Sequence, residues 1–332
     1  MSEATLPGPG GAAAPEAALN RGWWRAFASR GAIWIVLLGL SVVSSIVSPV
    51  FLTSRFISTL LKQAASLGIV AVGQTLAILT GGIDLSVASV MALVSVLASH
   101  WMNGQESLVL PVSLAALAVA SAIGLANGLM VAKLKIPAFI ATLGMILIVQ
   151  GARFMYTGGT PKGSIPPGIK FIGGGMVGPI PAAVIVWAIV VVVFVILTRW
   201  TVFGRRLYAT GGNPRTAHLS GVNVNGVIIA AYTLCGLLAG IAGLVLTGYS
   251  GFADNWLGRG KDLDSIAAVV VGGTLFSGGR GGVLGTVAGV LIITILYNLV
   301  LLLGLDEEVQ RIVKGTAIIL AVALYAGLRA RR

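Results

Sequence analysis

The chain has 332 residues, of which 57% are hydrophobic and 10% charged, with a mean hydropathy of +0.98. Soluble domains carry about 25% charged residues, so this sequence cannot cover a water-facing surface and belongs to an integral membrane protein. The net charge of +12 is then a matter of topology rather than nucleic-acid binding, and one cysteine (Cys235) with two histidines (His100, His218) excludes a disulfide framework and a Cys/His zinc site, leaving no metal or cofactor to expect.

Residues 1–20 are rich in Ala, Gly and Pro without an apolar period and read as a disordered tail. Arg21, Arg25 and Arg30 then bracket Trp23 and Trp24 as an interfacial cluster, so residues 1–30 form a cytoplasmic tail and interfacial segment. Apolar runs follow at 31–51, 57–80, 85–102, 108–132, 137–157, 180–198, 227–250, 264–277, 283–304 and 308–328. At roughly 25 to 33 residues per spanning helix and loop, this predicts an all-α polytopic membrane domain of about ten transmembrane helices over 31–328. Residues 329–332 are a basic cytoplasmic C-terminus. The second run contains Lys62, and the eighth is short and ends in Ser277-Gly278-Gly279-Arg280-Gly281-Gly282, which admits a re-entrant or broken helix.

With the first span running outward, the loops holding Lys133, Lys135, Arg199, Arg205, Arg206, Arg215 and Arg280 face the cytoplasm with both termini. That places more than half of the 22 cations inside, as the positive-inside rule expects. Ten spans make two halves of five, and an odd number per half makes any internal repeat an inverted one. A faint trace exists in Asp84-Leu85-Ser86-Val87 before the third span and Asp262-Leu263-Asp264-Ser265 before the eighth, although polar caps are common at helix starts.

Small residues recur at helical spacing: Gly124 with Gly128, Gly236 with Gly240, and Gly281 with Gly285 and Gly289. In lipid such spacing serves close helix packing. Gln74, Asn127, Gln150 and Asn298 lie inside apolar runs, where amides either bond across helices or line a polar cavity. Arg153, near the outer end of the fifth run, is expected to snorkel to the interface as an anchor, and Arg311 and Lys314 to pair with Glu307 and Glu308. Gly173-Gly174-Gly175-Met176-Val177-Gly178 matches a dinucleotide fingerprint formally but follows no βαβ unit.

No P-loop is present, since the one Gly-Lys pair, Gly260-Lys261, is followed by Asp262. Any ATP is therefore handled by a partner, and no catalytic residue is predicted. The loop over 199–226 contains Asn213-Pro214-Arg215-Thr216-Ala217-His218-Leu219-Ser220-Gly221, which supplies an N-cap asparagine, a proline at the first helical position and a terminating glycine. This specifies a short helix too brief to persist by propensity alone, held either by a docking partner or by the lipid surface. In the run from Gly73 to Ser86, Gly81 and Gly82 free the backbone between spans, while Asp84 or Ser86 can cap the helix that restarts after Leu85.

The run Gly73-Gln74-Thr75-Leu76-Ala77-Ile78-Leu79-Thr80-Gly81-Gly82-Ile83-Asp84-Leu85-Ser86 and its continuation to Val90 resemble the signature of permease subunits of bacterial ribose-type ABC importers. The likeness extends through residues 136–145, 208–213 and 272–274 and covers about 31–328. It implies a homodimer in the bacterial inner membrane with one translocation path at the dimer interface, an extracytoplasmic sugar-binding protein outside and ABC ATPase subunits inside. It also implies that residues 213–221 are the ATPase-coupling helix; substrate-contacting residues remain unassigned.

The sequence thus points to a transport subunit for a monosaccharide rather than an enzyme. Its alternatives are an amino-acid permease of the related ABC branch and an ion-coupled secondary sugar transporter. The second is disfavoured because Asp84 is the one acid near the membrane interior and has a capping role available. No paired carboxylates, nucleophile–base set or metal cluster supports an intramembrane enzyme.

Overall fold

The computed structural model describes residues 33–306 together with positions 308, 309, 312, 315 and 316. The expectations for residues 1–30, for Arg311 and Lys314 and most of the tenth run, and for 329–332 lie outside the described residues. The nine earlier runs each fall on a helix: α1 (Ile33–Val47), α2 (Ser54–Leu79), α3 (Val87–Met102), α4 (Val109–Ala132), α5 (Ala138–Thr157), α7 (Ala182–Trp200), α10 (Val224–Ser250), α11 (Lys261–Val271) and α12 (Val283–Leu302). Shorter helices α6 (Pro167–Gly174), α8 (Val202–Gly212) and α9 (Pro214–Leu219) lie in connections. The glycine run is divided between the end of α6, with Gly173 and Gly174 in the helix and Gly175 after it, and a hairpin of β1 (Met176–Val177) and β2 (Ile180–Pro181) with Gly178 at φ +59° in its turn, so the formal dinucleotide match is a helix end and a hairpin.

Six helices, α2, α4, α5, α7, α10 and α12, are long and apolar enough to cross a membrane, and the chain is a polytopic, mostly helical membrane protein. Both α3, at 16 residues, and α11, at 11, fall short of the hydrocarbon thickness of about 30 Å at 1.5 Å per residue. They are the irregular members of the bundle.

The core is built around α2, whose residues 64–79 are all buried, so an all-round apolar stretch is enclosed by α7, α10, α11 and α12. By contrast, α5 shows Phe139, Ile140, Leu143, Leu147, Ile148 and Met155 at its surface, and α7 shows Ile189, Val192 and Val193. Apolar faces of that extent suit lipid or a second copy.

Close packing rests on the glycines read from the sequence. A Cβ on Gly124 would lie 2.3 Å from the Tyr232 carbonyl oxygen, and one on Gly236 would lie 2.4 Å from that of Ala120, so α4 and α10 meet backbone to backbone. The same holds between α11 and α12, where a Cβ on Gly289 would lie 1.9 Å from the Ala268 carbonyl oxygen. Asn298 bonds across helices to Gln63 at 3.0 Å, the packing role open to it.

Hydrogen bonds sort the loops into two ends. At one end, the Gly104 amide donates to Ser164, the Gly168 amide to Glu106, and Asn255 to the Gly159 carbonyl. At the other, Lys135 donates to Asn225, Tyr208 to the Gly281 carbonyl, and the Gly279 amide to the Leu79 carbonyl. The loops carrying Lys135, Arg205, Arg206, Arg215 and Arg280 thus share one end, the grouping predicted from charge. Lys62, the misfit of the second run, donates to the Gly174 carbonyl at 2.6 Å near the opposite end.

Gly236→Val should force α4 and α10 apart and lower stability by about 1–3 kcal/mol, the usual cost of overpacking. Gly144→Ala, where nothing lies within 4 Å of the new Cβ, should leave the thermal midpoint in detergent unchanged. Equal midpoints for both variants would refute this packing account.

Candidate functional site

The signature turn sits within the bundle rather than at its rim. Asp84 lies against Tyr232 and Cys235 of α10, which are 8 and 11 residues beyond Val224, or roughly 12 and 16 Å along that helix at 1.5 Å per residue. After α2 ends, the chain turns back and starts α3 well inside the protein.

Irregular backbone at membrane depth is tolerated only where its polar groups are satisfied by protein. Several such groups here have a named partner. The Gln74 amide, in the orientation that pairs both of its groups, donates from Nε2 to the Asp84 carbonyl at 3.0 Å and accepts at Oε1 from the Asp84 amide at 3.1 Å. Tyr232 donates its hydroxyl to the Ile83 carbonyl at 3.1 Å. Asp84 Oδ1 accepts from the Ser86 amide at 2.9 Å and the Ser86 hydroxyl at 2.6 Å. Asn127 Nδ2, from α4, donates to Ser86 Oγ at 2.9 Å and straddles both carboxylate oxygens at 3.4 Å.

The capping expectation is therefore adjusted. Ser86 occupies the N-cap of α3 without a side-chain cap bond, and Asp84 closes the Asx turn before it. Gly81 takes φ +84°, a left-handed conformation suited to glycine. Gly82 is needed for space, since a Cβ there would lie 2.3 Å from the Tyr232 hydroxyl. Leu85 is buried.

At the Leu79 end, three glycine segments converge. The Gly279 amide donates to the Leu79 carbonyl at 3.0 Å, and a Cβ on Gly211 would lie 1.8 Å from that same oxygen. Gly211 and Gly212 end α8, and the next residue caps α9: Asn213 Oδ1 accepts from the Thr216 amide at 3.0 Å, with Pro214 in the first turn and Gly221 at φ +80° after the helix. Burial holds the Tyr208 phenol above its ordinary value, with Arg199 pulling the other way, so it stays a protonated donor to Gly281.

Along residues 213–221, Ala217 is 4% exposed and Leu219 is 80% exposed. Ala217 is thus an internal anchor of this helix rather than part of its outer surface, while Leu219 is an apolar knob with no cover. Beside it runs an open groove of about 590 Å³, lined by Lys135, Arg215 and His218 with Pro214, Val222 and Asn223 among the other walls. His218 and Ser220 lie at the end of the helix, where the Ser220 hydroxyl returns to the Thr216 carbonyl.

Two side chains near the opposite end depart from the sequence reading. Arg153 does not snorkel: it is 3% exposed, donates from Nη1 to the Ser89 carbonyl of α3 at 3.2 Å, and leaves Nε without a partner. Asn255, unremarked in the sequence because it lies in a polar loop, is buried with Nδ2 on Gly159 and Thr157 and with Oδ1 unpartnered. Among the described residues no group of three or more His, Cys, Asp or Glu is arranged to hold a metal ion.

A polytopic bundle with a buried chain reversal after α2 and a capped helix at one end suits a membrane transport subunit. Residues 56–322 match the family described as branched-chain amino acid transport system / permease component, and the chain belongs to that family. It is 41% identical over 295 residues to the ribose import permease protein RbsC of Escherichia coli (strain K12), covering 87% of this chain and 91% of that one. It is likewise 41% identical over 287 residues to RbsC of Bacillus subtilis (strain 168), covering 86% and 89%. It is 36% identical over 333 residues to the galactose/methyl galactoside import permease protein MglC of Escherichia coli (strain K12), covering 95% and 99%. No solved structure matches the chain.

Gln74→Leu keeps the helix but strands both backbone groups of Asp84, so stability should fall by about 1–3 kcal/mol for each buried group left unpaired. Gln74→Glu, neutral in this buried setting, keeps a carbonyl acceptor for the Asp84 amide and a hydroxyl donor for its carbonyl, and should lose less. Thermal unfolding of the two variants in one detergent decides the matter, and equal loss would show that the amide clasp is not what holds the turn.

Proposed function

We propose that this chain is the transmembrane permease subunit of an ABC importer that moves a monosaccharide, a ribose-like pentose or a related sugar, across the bacterial inner membrane. ATP hydrolysis on a partner subunit drives the cycle. The observation that carries this reading is the 41% identity to a ribose import permease over 87% of the chain, joined by the likeness to a galactose permease over 95%. The amino-acid alternative has one observation in its favour, the wording of the family's description.

The permease works as a homodimer within membrane lipid, with an extracytoplasmic sugar-binding protein on one side and ABC ATPase subunits on the other. It has about ten spans over 31–328 in two inverted halves of five, a cytoplasmic tail over 1–30 and a cytoplasmic C-terminus over 329–332. The inverted arrangement is supported by the pairing of long, central α2 and α10, each followed by a short helix, α3 and α11. The α9 end is cytoplasmic on this reading, and the basic loops gathered there support it.

Residues 213–221 are the ATPase-coupling helix, and the exposed Leu219 is its contact. Leu219→Asp should reduce substrate-stimulated ATP hydrolysis by roughly tenfold, about 1.4 kcal/mol, in the reconstituted complex, with permease folding intact because Leu219 is 80% exposed. Undiminished stimulation would assign the helix to the lipid surface instead. The isolated permease should hydrolyse no ATP, for want of a P-loop.

In a Cys235→Ala background, Lys162→Cys should be labelled by an impermeant maleimide from outside intact cells, and Arg215→Cys only after the membrane is opened. The reverse pattern would invert the topology. Titrating the cognate binding protein with a panel of sugars and branched-chain amino acids separates the two substrate readings.

A further inference from the structure

The open groove of about 590 Å³ beside α9 carries charge of one sign. Three segments build it: the α4–α5 connection supplies Lys135, α9 supplies Arg215 and His218, and the start of α10 supplies Asn223 and Asn225. No acid lines it. Apart from Asp84 inside the bundle, the described acids are Glu106, Asp254, Asp262, Asp264, Asp306 and Glu308, and all of them belong to the connections at the opposite end. Among the described residues, therefore, no carboxylate is placed to neutralise the groove.

Lys135 is held there at a cost. Its φ is +57°, and among the described residues Asn103 is the one other side-chain-bearing residue in the left-handed region, which asparagine tolerates better than lysine. Backbone strain of this kind persists where the surroundings over-determine it, and it gathers at working sites. The Lys135 ammonium donates to Asn225 Oδ1 at 3.1 Å, a neutral acceptor, so it keeps its full charge and two further protons. The same groove takes in the N-terminus of α10, the positive end of a 27-residue helix. Fixed positive charge in a concave wall focuses the field toward an incoming anion.

We propose that this groove receives a carboxylate-bearing segment of the ATPase subunit, whose acidic side chains seat against Lys135 and Arg215. This rests on the coupling-helix reading above. Charge complementarity selects an acid, and the character of α9 selects a protein over an anionic lipid: Arg215, Thr216, His218 and Ser220 are all exposed beside Leu219, whereas a helix lying on lipid turns a broad apolar face toward it. One large apolar side chain makes no such face. A partner acid seated here ties the ATPase to α9, to the start of α10 and to the connection that leads into α5, so the partner grips three segments rather than one. Leu219 supplies the apolar part of the contact, and the groove supplies orientation and speed of docking, which is what charges at the edge of an interface chiefly control.

The test follows binding of the purified ATPase subunit to full-length permease in nanodiscs of phosphatidylcholine alone, which offer no anionic headgroup. The association rate should fall steeply as salt rises. At low ionic strength it should fall at least tenfold in Arg215→Glu and in Lys135→Glu, while Arg206→Glu, a cation of the same end that does not line the groove, should stay near wild type. A carbodiimide should join Lys135 to an ATPase carboxylate, and the link should vanish in Lys135→Arg while binding persists; this arm decides the matter even if Lys135→Glu fails to assemble. Wild-type rates in the charge reversals and no link at Lys135, with binding still broken by Leu219→Asp, would overturn the groove and leave the coupling helix standing. Equal slowing in Arg206→Glu would also overturn it, because the attraction would then belong to the whole end of the molecule. ATPase that binds only when phosphatidylglycerol is added, with that requirement lost in Arg215→Glu, would give the groove to a lipid headgroup. Binding unmoved by Leu219→Asp and by both reversals would overturn the coupling-helix reading, and the acid-binding groove with it.

Discussion

The bundle depends on a single exchange of hydrogen bonds, that between the Gln74 side chain and the backbone of Asp84. A chain that reverses inside a membrane domain exposes peptide groups where no water can serve them, and each unpaired group would cost several kcal/mol in hydrocarbon. An amide side chain has one donor and one acceptor side by side, as a peptide does, so it can stand in for a neighbouring strand. With that substitution made, α3 can begin in mid-protein. The tyrosine, serine and asparagine contacts then complete the shell around the reversal.

Packing follows from the same need for close approach. Where α4 meets α10 and α11 meets α12, the glycines bring carbonyl oxygens within reach of facing Cα atoms, and dispersion rather than water release holds the helices together. The outer helices α5 and α7 carry exposed Leu, Ile and Val instead. The division between a glycine-rich interior and a branched-aliphatic exterior is therefore a division between surfaces packed within the chain and surfaces left for lipid or a second copy.

Much of this was legible in the residues. Apolar run length located nine helices because a span demands uninterrupted hydrophobicity, and Asn213, Pro214 and Gly221 located α9 because each has a specific backbone use. Depth was legible only in part: Asp84 reads as a cap near the membrane interior, but capping chemistry is the same at a rim and in an interior, and only the contact with Cys235 shows how far along α10 it lies. Arg153 misled for the opposite reason, since its position near a helix end permits snorkelling and sequence does not say which face of α5 is enclosed. Ala217 was equally ambiguous, as a short helix with little apolar surface gives no period from which to read its buried side. Asn255 escaped notice because buried loops are rare and carry no hydrophobic signal.

The junction at Leu79 has a mechanical meaning. Its carbonyl oxygen receives the Gly279 amide, while the Cα of Gly211 presses on the same atom from the segment that leads into α9. Side chains absorb small displacements by changing rotamer, but main chain in contact with main chain has no such slack. If α9 is the surface a motor grips, as proposed above, this main-chain junction joins it directly to the end of α2 and to the start of the reversal at Gly81.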